Sequence, residues 1–152
     1  MGDLRAEIAR LRSLTPQLNA VTDRAAKIVQ AVEHFLNEEC QLAISASIDT
    51  NVTYSPEGDY RGGHLLEYAR WEGKFRIIVS DFLAAIHGDI EISERTLWAN
   101  ATRERKLATI NAIPDLLREI SRCIESTIKG ADEQATVVED YLKDLGIKGV
   151  GL

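Results

Sequence analysis

A chain of 152 residues with 45% hydrophobic and 28% charged side chains can bury a core without a disulfide or metal staple, and its composition excludes a disordered or fibrous chain. Its formal charge of −6 at pH 7 counts against nucleic acid or an anionic membrane as the main partner, since an acidic surface repels both. No apolar run approaches the roughly 20 residues of a membrane span, and Met1-Gly2-Asp3-Leu4-Arg5-Ala6 carries neither a secretory core nor a myristoylation signal; the cytoplasm is the expected address.

In chain order, Leu4, Ile8 and Leu11 recur at helical spacing and predict a short opening helix. Thr15-Pro16 then predicts a fresh start, with Thr15 as N-cap and Pro16 at the first position, where a missing N–H costs nothing. From there Leu18, Val21, Ala25, Ile28, Val32 and Phe35 keep one apolar stripe on a long helix that ends at Glu38-Glu39.

The rhythm changes to period two at Leu42, Ile44, Ala46 and Ile48, which predicts a strand over 42–49 with one buried face. Ser55-Pro56-Glu57-Gly58-Asp59 is turn chemistry, and Gly62-Gly63 reads as a second flexible point. His64–Trp71 and Lys74–Val79 flank Glu72-Gly73 and predict a hairpin. With a two-residue loop, Leu66 and Tyr68 stand beside Ile77 and Val79 on a core face. Glu67, Ala69, Trp71, Lys74, Arg76 and Ile78 then share the other face. A three-residue loop would shift this register by one; the first register gathers the larger apolar set.

Residues 82–86 fit either an extended strand or a helical turn, and Gly88–Thr96 reads as a polar loop. Asn100 or Thr102 can cap a helix carrying Leu107, Ile110, Ile113, Leu117, Ile120 and Ile124, which Pro114 kinks or splits and Gly130 stops. Asp132 starts a last helix with Val137, Val138, Tyr141, Leu142 and Leu145, which Gly146 ends, and 147–152 is expected as a mobile tail. No repeat or linker divides the chain. The expectation is a single α+β domain over 1–152: a short and a long N-terminal helix, a three-stranded antiparallel sheet, and two or three C-terminal helices.

Chemistry is thinly signalled. His34 and Glu38 stand at i, i+4, but one pair falls short of a zinc site. His87-Gly88-Asp89-Ile90-Glu91 lacks EF-hand and H-E-x-x-H spacing, and His64 opens a strand. Cys40 and Cys123 belong to no C-x-x-C pair, and phosphate-loop, dinucleotide and nucleophile-elbow motifs are missing. No catalytic residue, metal or cofactor is assigned.

Two surfaces suit binding. Arg70, Trp71, Lys74 and Arg76 combine an aromatic with cations near the hairpin, the residue types of interface hot spots and of single-strand nucleic-acid platforms. Arg103, Arg105 and Lys106 cluster at a helix start, where the macrodipole favours anions instead. The whole excess of negative charge lies outside 59–110, which holds eight acidic and eight basic residues. Helices longer than the sheet need a further surface to cover their stripes, and the near-heptad stepping from Leu14 to Phe35 suggests a homodimer. The expected function is a non-enzymatic protein-interaction domain: an adaptor, small chaperone, immunity factor or regulatory subunit. The alternatives are a nucleic-acid-binding module and, last, an enzyme using His64 or His87.

Overall fold

In the computed structural model, which describes residues 2–147 and 149, the fold is α+β with a long N-terminal helix, an antiparallel sheet and C-terminal helices. The elements run α1 (Gly2–His34), β1 (Ala46–Tyr54), β2 (Tyr60–Trp71), β3 (Lys74–Ala85), β4 (Ile90–Ile92), β5 (Thr96–Leu97), α2 (Arg103–Thr109) and α3 (Ile113–Asp144). The strands form one sheet in the order β1-β2-β3-β4, with β5 also on β3. Among the described residues there are five strands rather than three: the polar stretch after Gly88 pairs in two short pieces. Ser93 bridges the break between them, its N–H donating to the Asp81 carbonyl while its hydroxyl accepts from the Asp81 N–H.

The hairpin has the two-residue loop. Trp71 pairs with Lys74, Tyr68 with Ile77 and Leu66 with Val79. Glu72 and Gly73 both take positive φ, at 47° and 87°, the type I′ conformation that matches strand twist. Residues 82–85 extend β3. Leu66, Tyr68, Ile77 and Val79 lie in the core against Ala25 and Val29 of α1 and Leu116 and Ile120 of α3. Trp98 plugs the same core, its indole N–H donating to Thr109 Oγ1, whose hydroxyl donates on to the Arg105 carbonyl.

Several predicted boundaries move. α1 runs unbroken through Pro16: Thr15 does not cap a new helix but returns its hydroxyl to the Leu11 carbonyl at 2.7 Å, and Gln17 Nε2 donates to the Ser13 carbonyl. These donors serve the carbonyls on either side of that of Arg12, and the Arg12 carbonyl, which loses its N–H partner to Pro16, lies in an exposed stretch. α1 leaves through a π turn, Phe35–Glu39, with Gln41 at φ 51°. The alternating burial of 42–48 is real, but pairing begins only at Ala46.

Gly62-Gly63 is no hinge. Both lie inside β2, where β1 bulges between Thr50 and Thr53. A Cβ on Gly63 would stand 2.6 Å from the Thr50 carbonyl oxygen, so glycine is there for close backbone approach. Pro114 does split its helix: α2 ends in a 3-10 turn, Ile110–Ala112, and Pro114 sits in the first turn of α3. Thr102 is the cap of α2.

Gly130, however, does not stop α3, which continues to Asp144. Glycine weakens a helix interior by only about 1 kcal/mol, and strong helix formers surround it. The true stop is Gly146 at φ 75°, whose N–H reaches the Lys143 carbonyl while that of Ile147 reaches Leu142, a Schellman ending. The expected mobile tail lies largely outside the described residues.

Candidate interaction surfaces

The sheet's second face lies outside the helix-packed core, yet Ile78, Ser80, Phe82 and Ala84 are buried on it. Long cations roof them. Arg95 crosses β3 to Glu67 at 3.2 Å, and Arg61 lies over the Phe82 ring while pairing with Asp49.

The predicted hairpin set is divided by the pleat. Trp71 and Lys74 form a rung on this second face; Arg70 points to the helix side, over the Phe75 ring at 5.4 Å. Arg76 is bound by the Glu33 carboxylate of α1. Trp71 is half-buried and Lys74 exposed. The α2 set is also dispersed. Arg103 donates to Asn19 Oδ1 of α1 at 2.8 Å, Arg105 to Asp81 Oδ2 at 2.5 Å, and Lys106 sits over the Trp98 ring. The structure thus gathers no single basic platform from these seven residues.

One histidine has a carboxylate partner. His64 Nδ1 is 2.8 Å from Asp81 Oδ1, and Arg105 holds the other oxygen of that carboxylate. The cluster ties α2 to β2 and β3. His87 lies in a shallow cleft with Gly58, Asp59 and Tyr60, and His34 in another with Lys74 and Arg76. Among the described residues, no three His, Cys, Asp or Glu side chains converge as metal ligands.

Tyr68 is the most perturbed buried group. Its hydroxyl donates toward Asn37 Oδ1 and the Leu42 carbonyl. Burial first, then the nearby Glu33 and Cys40, push it up to about 12, because an anionic phenolate there loses water and meets like charge. On α3 the Arg122 guanidinium grips Glu119 and lowers that carboxyl.

The largest unpartnered features are helical. α1 enters the core only from Ala25, and the buried residues of α3 end at Ile120. The remainder of each helix projects as an arm of about 20 residues, roughly 30 Å, with its apolar stripe uncovered. Leu4 is 57% exposed and Leu11 60%; Ile128 is 63% and Tyr141 64%. The arms do not pack along each other within the chain. The α1 stripe continues the heptad stepping back through Pro16 to Leu4. The α3 stripe runs Ile124, Ile128, Ala131, Ala135, Val138, Leu142, Leu145 in alternating steps of four and three, a signal that reading Gly130 as a stop had cut in two. No helix among the described residues is long and apolar enough to cross a membrane.

Comparison with protein-family models, with curated proteins and with solved structures finds no match to this chain.

Proposed function

We propose that the chain is a non-enzymatic protein-interaction domain that presents two amphipathic helical arms to partner helices. The observation that carries this reading is the pair of continuous apolar stripes, on residues 4–21 of α1 and 128–145 of α3, left largely exposed beyond the core. Exposed apolar area on this scale marks association surfaces in folded proteins. Most helical stability in proteins comes from packing of an amphipathic face, so arms without that packing gain order from a partner. The sheet serves as the platform that fixes the roots of both arms.

The nucleic-acid reading draws less support, since Arg76 and Arg105 are paired with Glu33 and Asp81 and Arg70 faces away from Trp71. Salt-sensitive binding of a single-stranded oligonucleotide that is lost in Trp71→Ala would favour it.

The test is a variant carrying Leu11→Glu and Val138→Glu. Both sites are exposed, so the unfolding free energy of the unassociated chain should change by no more than about 0.5 kcal/mol per site. Complexes captured from cells and rebuilt from purified components should form with the unaltered chain and fail with the variant. Complexes that survive unchanged overturn the reading.

A further inference from the structure

The two arms match each other. From Leu4 to Ala25 and from Ile124 to Leu145 the stripe positions follow the same sequence of steps, four and three in turn. Written as heptads, α1 has Leu4, Leu11 and Leu18 at d with Ile8, Thr15 and Thr22 at a. α3 has Ile124, Ala131, Val138 and Leu145 at d with Ile128, Ala135 and Leu142 at a.

Their edges carry opposite charge. The e positions of the α1 arm are Arg5, Arg12 and Asn19, and Asn19 holds the Arg103 guanidinium, so the third place is cationic as well. The e positions of the α3 arm are Glu125, Asp132 and Glu139. Over residues 4–18 three arginines face one acid, Glu7; over 125–144 six acids face Lys129 and Lys143. In an antiparallel helix pair the two e edges confront each other, so α1 against α1 sets arginine beside arginine, and α3 against α3 sets acid beside acid. Only α1 against α3 places opposite charges together.

We propose that the α1 arm of one chain docks antiparallel on the α3 arm of a second copy. This rests on the reading of the arms as interaction surfaces and names their occupant. The register that layers a against d sets Leu11 by Leu142, Thr15 by Val138 and Leu18 by Ala135. The same register brings Arg12 to Glu139 and the Arg103–Asn19 pair to Asp132. Since the arms of one chain do not pack on each other, the contact needs another molecule. A two-fold dimer of this kind contains it twice.

Sedimentation equilibrium on the full chain and on charge-exchanged variants tests the proposal. The unaltered 16.9 kDa chain should associate to twice that mass. Arg12→Glu, and separately Glu139→Arg, should each weaken association at least ~10-fold by setting like charges across the seam, twice in a two-fold dimer. Both changes in one chain should restore it to within about 3-fold, with the unfolding midpoint at dilutions where each chain is monomeric unchanged throughout. Association altered by Arg12→Glu and untouched by Glu139→Arg overturns the α1–α3 pairing in favour of α1 with α1, leaving the arms as interaction surfaces. A chain that stays at 16.9 kDa at ~100 μM overturns the second copy as occupant and leaves the broader reading to its own test. Exchange that fails to rescue overturns the register.

Discussion

Alanine at Gly63 should cost far more than alanine at its neighbour Gly62. On energetics of the chain alone, both changes stabilise, because glycine loses the most backbone freedom on folding, by roughly 0.5–1 kcal/mol. The surroundings differ. A Cβ at Gly62 meets the Phe82 carbonyl oxygen at 3.2 Å and a mobile Leu83 methyl at 3.5 Å, contacts a small shift relieves. At Gly63 the new carbon stands 2.6 Å from the Thr50 carbonyl oxygen and 3.1 Å from that of Asn51. Ordinary C···O approach is about 3.3 Å, so β1 must retreat by ~0.7 Å where its bulge holds Asn51 at φ 54° and where the Asn51 amide donates to the Ala108 carbonyl of α2. Overpacking of this kind costs about 1–3 kcal/mol. Gly62→Ala is therefore expected near neutral and Gly63→Ala about 2 kcal/mol less stable, some 4–8 °C in Tm at this chain length. Urea unfolding of the three proteins with a shared m-value reads the difference. A Gly63→Ala protein as stable as Gly62→Ala refutes the close approach and restores a flexible point at these residues.

Alkaline pH should expose Tyr68. Unfolded tyrosine loses its proton near pH 10, whereas in the fold Tyr68 holds its own to about 12. Below pH 10 both states are protonated; above it the unfolded chain binds fewer protons, so stability falls as pH rises, by ~3 kcal/mol in all. The unfolding free energy of Tyr68→Phe relative to the unaltered chain should lose this slope; equal slopes contradict it. Among the described residues Ser80 Oγ is buried without a hydrogen-bond partner, and Ser80→Ala should raise stability by about 1 kcal/mol in urea unfolding; an unchanged or lowered stability contradicts this. Glu33→Gln removes the carboxylate that binds Arg76, itself a third exposed. A loss of about 1–2 kcal/mol in urea is expected, shrinking in the double variant with Arg76→Leu.

The architecture was legible where periodicity met an unambiguous turn. The Glu72-Gly73 hairpin followed from alternation on both sides and a dipeptide that takes positive φ, while Thr102 marked the start of α2 and Pro114 the α2–α3 boundary by known chemistry. Proline and glycine misled elsewhere because their cost is small beside what surrounds them. Pro16 sits in an exposed helix, where the one freed carbonyl, that of Arg12, lies in an exposed stretch; Gly130 removes no backbone hydrogen bond, only a methyl group. Gly63 could not be read as a strand residue because its reason, a bulge in β1, lies 12 residues away in the chain. The site was less legible. Charge and aromatic content drew attention to Trp71, Arg76 and Arg105, but pleat parity and the acids of other elements, invisible to local pattern, separated them. The α3 stripe was present all along in the four-three stepping of Ile124 to Leu145.

The central claim is that both helical arms are covered by helices of another molecule. Amide hydrogen exchange of the unaltered chain, followed from low to high micromolar concentration, addresses it residue by residue. Protection across 4–18 and 128–142 should rise together with concentration while that of β2 and β3 stays constant. Arms that exchange at the same rate at every concentration would contradict it.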